Sequence, residues 1–196
     1  MNFSQKTENL AILIYVYIYM FVRGIGVKVP RDIKSVIVPV AKLGDTVCTT
    51  PVFRAIKKRY PHTRVFVVGE AINKEVLANN ADVDEYIVWH DDAYVMRNIF
   101  LQHNFDVGFL TAPSANMLAA LYLAGTPCII APRIEDGWCP TETMLYKLLR
   151  RLVIVVPHIM GQYAPREYLR LLEPIGIYTQ DTKKYLNYSD RCPSSM

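Results

Sequence analysis

Short runs of β-branched residues alternate with longer amphipathic stretches along most of this chain. Val36, Ile37, Val38 and Val40 form the first such run, as expected for a parallel strand covered on both faces. Lys42-Leu43-Gly44-Asp45 then turns the chain, Gly44 supplying a backbone freedom that a side chain resists. Thr50 followed by Pro51 has the form of a helix N-cap and first helical residue. The helix proper is therefore expected to begin there, after a looser turn over residues 45–49. Further strands are predicted over residues 64–68, 86–89, 106–110, 127–131 and 152–156. Helices are predicted over 71–77, 93–103 and 114–124, the last opened by Ser114 and closed by Gly125. An amphipathic segment over 141–152 and a helix over 165–173, begun by Pro165 and ended by Pro174 and Gly176, complete the pattern. Strands and helices alternating at this spacing predict an α/β protein with a parallel, doubly wound sheet. The chain divides into an apolar extension (residues 1–30), the sheet domain (31–177) and a polar, patternless tail (178–196).

The extension contains LAILIYVYIYMFV over residues 10–22, thirteen apolar or aromatic residues without a charge. That is shorter than the roughly 20 residues a bilayer-crossing helix needs. No small-x-small cleavage site follows and Glu8 precedes the run, which argues against a signal peptide. The favoured reading is an interfacial anchor or docked helix, with Lys6, Arg23 and Lys28 near headgroups. A helix packed on the protein's own surface is the alternative. In the 141–152 segment, Met144, Leu145, Leu148, Leu149 and Leu152 form a stripe, with Lys147, Arg150 and Arg151 off it. That pattern suits either an anionic membrane surface or an ordinary surface helix.

Composition narrows the classes. A chain of 196 residues, 52% hydrophobic and 20% charged, excludes disorder and permits a substantial core. The net charge of +4 is mild, and the aromatics are not interleaved with Arg and Lys, so nucleic acid is not the expected partner. Cys48, Cys128, Cys139 and Cys192 contain no C-x-x-C, which argues against a metal cluster or redox pair. Gly24-Ile25-Gly26 precedes the first strand instead of following it, so it reads as a joint and not as a dinucleotide loop.

Asp45 stands at the carboxyl end of the first strand, where open α/β sheets place their ligands. A carboxylate there can act as a general base, or it can cap a helix. Lys42 in the same turn can hold a phosphate or acidic sugar. Thr49, Thr50, Ser114 and Asn116 can hydrogen-bond a sugar, although capping and turn bonding suit the same residues. Arg54, Lys57 and Lys58 share a helix face that either meets a phosphorylated ligand or is simply solvated. Asp82-Val83-Asp84 has the form of a metal-binding Asp-x-Asp, a motif common by chance.

LGDTVCTTPVFRAIKKRYP resembles the opening motif of glycosyltransferase family 9, the lipopolysaccharide heptosyltransferases. The resemblance continues through VFVVGEAINKEVLANNADVDEYIVW, FDVGFLTAPSANMLAALYLAG and HIMGQYAPREYLRLLEPIGI, covering residues 35–177. It implies a Rossmann-like acceptor-side domain, one half of the two-domain arrangement called GT-B. It also implies that Asp45 is the catalytic base and that no metal is needed; Lys42, Gly44, Thr49, Thr50, Arg54, Lys57, Ser114 and Asn116 are the candidate acceptor contacts beside it, and no cofactor is expected. The donor would be a nucleotide-sugar such as ADP-heptose, held mostly outside this chain. The acceptor would be a glycolipid or lipopolysaccharide core at the cytoplasmic face of the inner membrane. The family's basic residue six positions before the Asp is Pro39 here, with Lys42 reaching into the same loop. His158 matches a family His before the last helix. The donor-side half, with its glycine-rich turn and lysine, is expected in further sequence or in a partner chain, and the 196 residues alone are expected not to turn over. The competing reading is a non-catalytic, membrane-associated binding module, and a weaker one is a flavodoxin-like nucleotide-binding domain.

Overall fold

The computed structural model describes residues 3–23 and 27–185. The side chains of Lys6 and Arg23, the Gly24-Ile25-Gly26 joint, Cys192 and the tail beyond residue 185 lie outside the described residues. The elements run α1 (Phe3–Arg23), β1 (Ser35–Pro39), α2 (Leu43–Arg59), β2 (Arg64–Gly69), α3 (Asn73–Val76) and β3 (Glu85–Val88). They continue α4 (Ala93–His103), β4 (Val107–Phe109), α5 (Ala115–Leu123), β5 (Cys128–Glu135), α6 (Met144–Leu149), β6 (Ile154–Ile159) and α7 (Ala164–Arg170). The six strands are all parallel and lie in the order β3-β2-β1-β4-β5-β6.

Strand periodicity sorts the core into two layers. Val36 and Val38 face the α2 and α7 side, where they join Phe53, Ile56, Leu169 and Leu172. Ile37, between them, faces the other way with Phe66, Phe100, Leu118 and Leu121 of the α1, α4, α5 and α6 side. The α/β doubly wound fold expected from the sequence is the one observed.

Several boundaries move, each for a local reason. α2 begins at Leu43, so Pro51 stands inside it and Thr50 is not its cap. A proline there deprives the Val47 carbonyl of its backbone donor. The Thr50 hydroxyl supplies the replacement, donating to Val47 O at 2.8 Å. β5 runs on to Glu135 because β6 pairs with it as far as Glu135↔Ile159. The segment read as one helix over 141–152 is a short helix capped by Thr143, then a 3-10 turn at Arg150–Leu152. Leu145, Tyr146 and Leu149 are buried there, whereas Met144 is exposed. Glu142 holds the segment to β5, pairing with Arg150 and accepting Ile134 N at 3.2 Å.

α1 docks one face on α5 and α6, with Ile12 and Val16 buried. Each such aliphatic side chain contributes roughly 1.5–3 kcal/mol when removed from water. The opposite face leaves Leu10, Ile14, Ile18 and Phe21 exposed, Phe21 to 84%. Among the described residues, no helix is long and apolar enough to cross a membrane.

The part of the tail that is described does not follow the reading of a loose end. Arg54 Nη1 donates to Lys183 O at 2.9 Å, and Tyr185 N donates to Thr50 Oγ1 at 2.9 Å. The Tyr185 hydroxyl reaches Asn79 O at 3.3 Å. Residues 183–185 are thereby fastened across α2.

Candidate functional site

α2 leaves β1 on one face of the sheet and α5 leaves β4 on the other, and β1 and β4 are neighbours. A crevice forms beyond the carboxyl ends of two strands whose connections diverge in this way. At that point the structure holds an open cleft of about 1120 Å³, large for a small-molecule site. Its floor is the ends of β1, β2 and β4. Its walls are the loops entering α4, α5 and α6, and Ala11 and Ile12 of α1 close one side.

The floor is tied together at short range. The Thr111 hydroxyl donates to Pro39 O at 2.7 Å, joining the end of β4 to that of β1. Asn73 Nδ2 donates to Ala41 O at 2.8 Å. Gly69 is required by crowding: a Cβ there would lie 2.7 Å from Val40 Cγ2 and from Tyr86 Oη. The Tyr86 hydroxyl donates to Glu70 O at 2.7 Å, and burial, aided by the Glu70 charge, pushes this phenol above its ordinary range.

One wall is a polar array at the entry to α4. Trp89 Nε1 donates to Asp91 Oδ1 at 3.0 Å, which fixes the indole. Asp92 caps α4, accepting from Tyr94 N at 2.7 Å, and its own amide donates to His90 Nδ1 at 3.2 Å. Across the cleft Ser114 caps α5, accepting from Met117 N at 3.3 Å. Asn116 Nδ2 crosses to Asp91 O at 3.2 Å. Among the described residues the lining includes Glu70, Asp91 and Asp92 and no Lys or Arg.

Asp45 occupies a separate place, on the α2 side. It is the third residue of α2, and its Oδ2 accepts the Lys42 amide at 3.4 Å, one arm of a capping box. Its Oδ1 accepts the Tyr168 hydroxyl of α7 at 3.1 Å. Burial first, then the Asp45 charge, raises the Tyr168 phenol above its ordinary range, so it stays protonated and donates. The His158 ring stacks on Tyr168 with centroids 6.0 Å apart, and its buried Nδ1 has no hydrogen-bond partner among the described residues. Burial lowers the His158 pKa; Glu167 and Asp45 oppose the shift and Arg170 assists it. Glu167 is itself fixed, accepting Ile159 N at 2.9 Å and Arg170 Nη1 at 3.1 Å. The half-buried Asp45 carboxylate offers about four lone-pair directions, of which these bonds take two. The space beside Gly44 is open: a Cβ there meets nothing within 4 Å.

The residues expected to surround one acceptor thus fall into two groups. Ser114 and Asn116 line the cleft; Lys42, Gly44, Asp45, Thr49, Thr50, Arg54 and Lys57 do not. Thr49 donates to Asp45 O at 2.7 Å, inside its own helix. The helix face read as an open basic surface pairs with the Asp82-Val83-Asp84 loop: Lys57 Nζ lies 2.6 Å from Asp84 Oδ2, and Arg54 Nε lies 3.9 Å from Asp82 Oδ2. Among the described residues no group of three or more His, Cys, Asp or Glu could hold a metal ion. The sequence reading missed Glu70 and Trp89–Asp92, although each follows a predicted strand and so stands at the sheet's carboxyl rim. Tyr168 carried no local signal, since its partner lies 123 residues away.

No protein-family model matches the chain, and no curated protein matches it. Solved structures do. The glycosyl transferase family 9 protein from Veillonella parvula superposes with a TM-score of 0.62 at 18% identity, over 81% of this chain and 46% of that one. ADP-heptose lipopolysaccharide heptosyltransferase II from E. coli gives 0.60 at 16% identity, over 80% of this chain and 47% of that one. An FMN-dependent UbiX-like decarboxylase from E. coli O157:H7 gives 0.51 at 13% identity, over 79% of this chain and 100% of that one. At these identities the likeness is one of fold: a parallel α/β sheet of the kind found in GT-B glycosyltransferases. The chain spans about half the length of the two glycosyltransferases.

Proposed function

We propose that this chain is the acceptor-side half of a GT-B glycosyltransferase of the heptosyltransferase kind. The observation that carries the reading is the cleft at the β1–β4 switch point, walled by hydroxyl, amide and aromatic groups suited to a sugar. The family motif running in order through residues 35–177 supports the same reading. In the reaction, the acceptor hydroxyl oxygen attacks the anomeric carbon of a nucleotide-sugar such as ADP-heptose. The bond from that carbon to the diphosphate breaks, and the nucleoside diphosphate leaves with the bonding pair. The acceptor extends from the cleft past the carboxyl end of β1 to Asp45, which stands outside the lining beside the open space at Gly44. Asp45 takes the hydroxyl proton on the lone pairs that Lys42 and Tyr168 leave open. Stabilising the departing diphosphate needs cations or helix dipoles from a donor-side half. The acceptor is a glycolipid, and the exposed stripe Leu10, Ile14, Ile18 and Phe21 of α1 suits a helix lying on the cytoplasmic face of the inner membrane.

A second reading has its own support. The Asp45 carboxylate is bonded to a backbone amide and a phenol and does not line the cleft, as in a sugar-binding module that performs no transfer. A flavin nucleotide is a poorer fit, because among the described residues the cleft lining offers no Lys or Arg to its phosphate. The readings separate in a form of the protein that carries a donor-side half. There Asp45→Ala removes most of kcat and leaves donor affinity intact; unchanged turnover returns Asp45 to a capping role and favours the binding module.

A further inference from the structure

α1 presents three sides to three surroundings. Ile12 and Val16 are buried against α5 and α6, while Leu10, Ile14, Ile18 and Phe21 form an exposed row on the opposite side. The flank between them belongs to the cleft, where Ala11 stands in the lining beside Ile12. Tyr15, one turn along that flank, meets the ring of Tyr94 with centroids 5.9 Å apart, and the exposed Tyr94 is itself a lining residue. Met144, at the start of α6, also lines the cleft and is 72% exposed. The apolar row and the mouth of the cleft are thus one continuous surface, joined through Ala11 and the Tyr15–Tyr94 pair.

Size and charge pattern decide what covers it. A row on one helix is a patch on the order of a few hundred Å², short of the roughly 800 Å² per partner that a stable protein–protein interface buries. Residues 10–22 hold no charge; in the sequence Lys6, Arg23 and Lys28 bracket them, and Glu8 is the one acid in residues 1–30. An apolar run bracketed by cations suits the boundary between acyl chains and anionic headgroups. The exposed carboxylates of Asp91 and Asp92, beside Tyr94, cannot enter hydrocarbon. They keep the cleft edge at headgroup level while the row sinks among the acyl chains.

We propose that this joint surface lies on a lipid bilayer, so that a lipid-linked ligand enters the cleft from the headgroup layer without leaving the membrane. The proposal rests on the ligand being a glycolipid. It adds Tyr94 and Met144 to the lipid contact and sets which way the cleft faces.

The test is co-sedimentation of the full chain with vesicles of phosphatidylethanolamine containing a minority of phosphatidylglycerol. The chain binds them, less tightly as salt is added. Ile14→Ser with Ile18→Ser lowers partitioning about tenfold or more, and Tyr94→Ser and Met144→Ser lower it about threefold each. Tyr178→Ser, at an exposed position that follows Ile177 of the α2 and α7 core, leaves it unchanged. Unaltered urea midpoints show that the variants fold. Binding that falls with the row but ignores Tyr94→Ser and Met144→Ser overturns the joint surface and leaves the glycolipid reading standing. No vesicle binding, or a dimer in sedimentation equilibrium that Ile14→Ser with Ile18→Ser dissolves, overturns the bilayer as the occupant. The glycan reading fails by a different observation, a Trp89 indole unmoved by any saccharide.

Discussion

The hydroxyl of Tyr168 donates to the carboxylate of Asp45 at 3.1 Å, joining α7 to the first turn of α2. A hydrogen bond to a charged acceptor in a half-buried setting is worth about 1.5–3 kcal/mol. Tyr168→Phe is expected to lower stability by an amount in that range in urea denaturation. Loss of less than about 0.5 kcal/mol would show that the Asp45 carboxylate finds equal partners elsewhere.

The same burial makes the protein sensitive to alkali. The phenols of Tyr86, Tyr146 and Tyr168 are all raised by desolvation, and burial pushes the Cys128 thiol up to about 11. Groups that hold their protons more tightly when folded stabilise fully below the unfolded value, about 10 for tyrosine, and lose that contribution as pH rises toward the folded values. Denaturation midpoints are therefore expected to fall steeply above about pH 10, and less steeply in Tyr168→Phe. A flat profile there would contradict the burial of these groups.

His158 acts in the opposite direction. Its pKa is lowered on folding, so its contribution is complete above the unfolded value of about 6.5 and is lost as pH falls through the lowered folded value. His158→Gln is expected to flatten the acid side of the stability curve. The wild-type and variant curves running parallel below about pH 6.5 would show that the ring is solvated.

Thr50 fills the hydrogen bond that Pro51 forfeits and also receives Tyr185 N. Thr50→Val is expected to cost about 1–3 kcal/mol, since it leaves the Val47 carbonyl unserved, whereas Thr50→Ser restores most of it. Gly69→Ala drives a methyl against Val40 and Tyr86 and is expected to cost about 1–3 kcal/mol by overpacking. Equilibrium unfolding of the three variants checks both statements.

Much of the fold was legible because its signals are local. The β-branched run from Val36 to Val40, the Ser114 cap and the Gly125 stop each state their element within a few residues. Thr50-Pro51 misled for a physical reason: the same pair serves a helix start, or a helix interior in which the hydroxyl takes over the missing N–H. The basic face of α2 read as open because its partners, Asp82, Asp84 and the Asp181–Lys183 stretch, arrive from distant sequence. The candidate site divided in the same way. Rim residues follow from strand ends, while the bond that fixes Asp45 depends on how α7 packs against α2.

The central claim is a division of labour, with the acceptor sugar bound by this chain and the nucleotide-sugar bound elsewhere. Titration calorimetry of the 196-residue chain with ADP-heptose, beside an NMR titration of the Trp89 indole N–H with a neutral disaccharide such as cellobiose, tests it most directly. The expected result is no measurable heat of binding for the nucleotide-sugar, together with a saturable saccharide response at the cleft. Tight binding of ADP-heptose by the chain alone, with no saccharide response, would contradict the account.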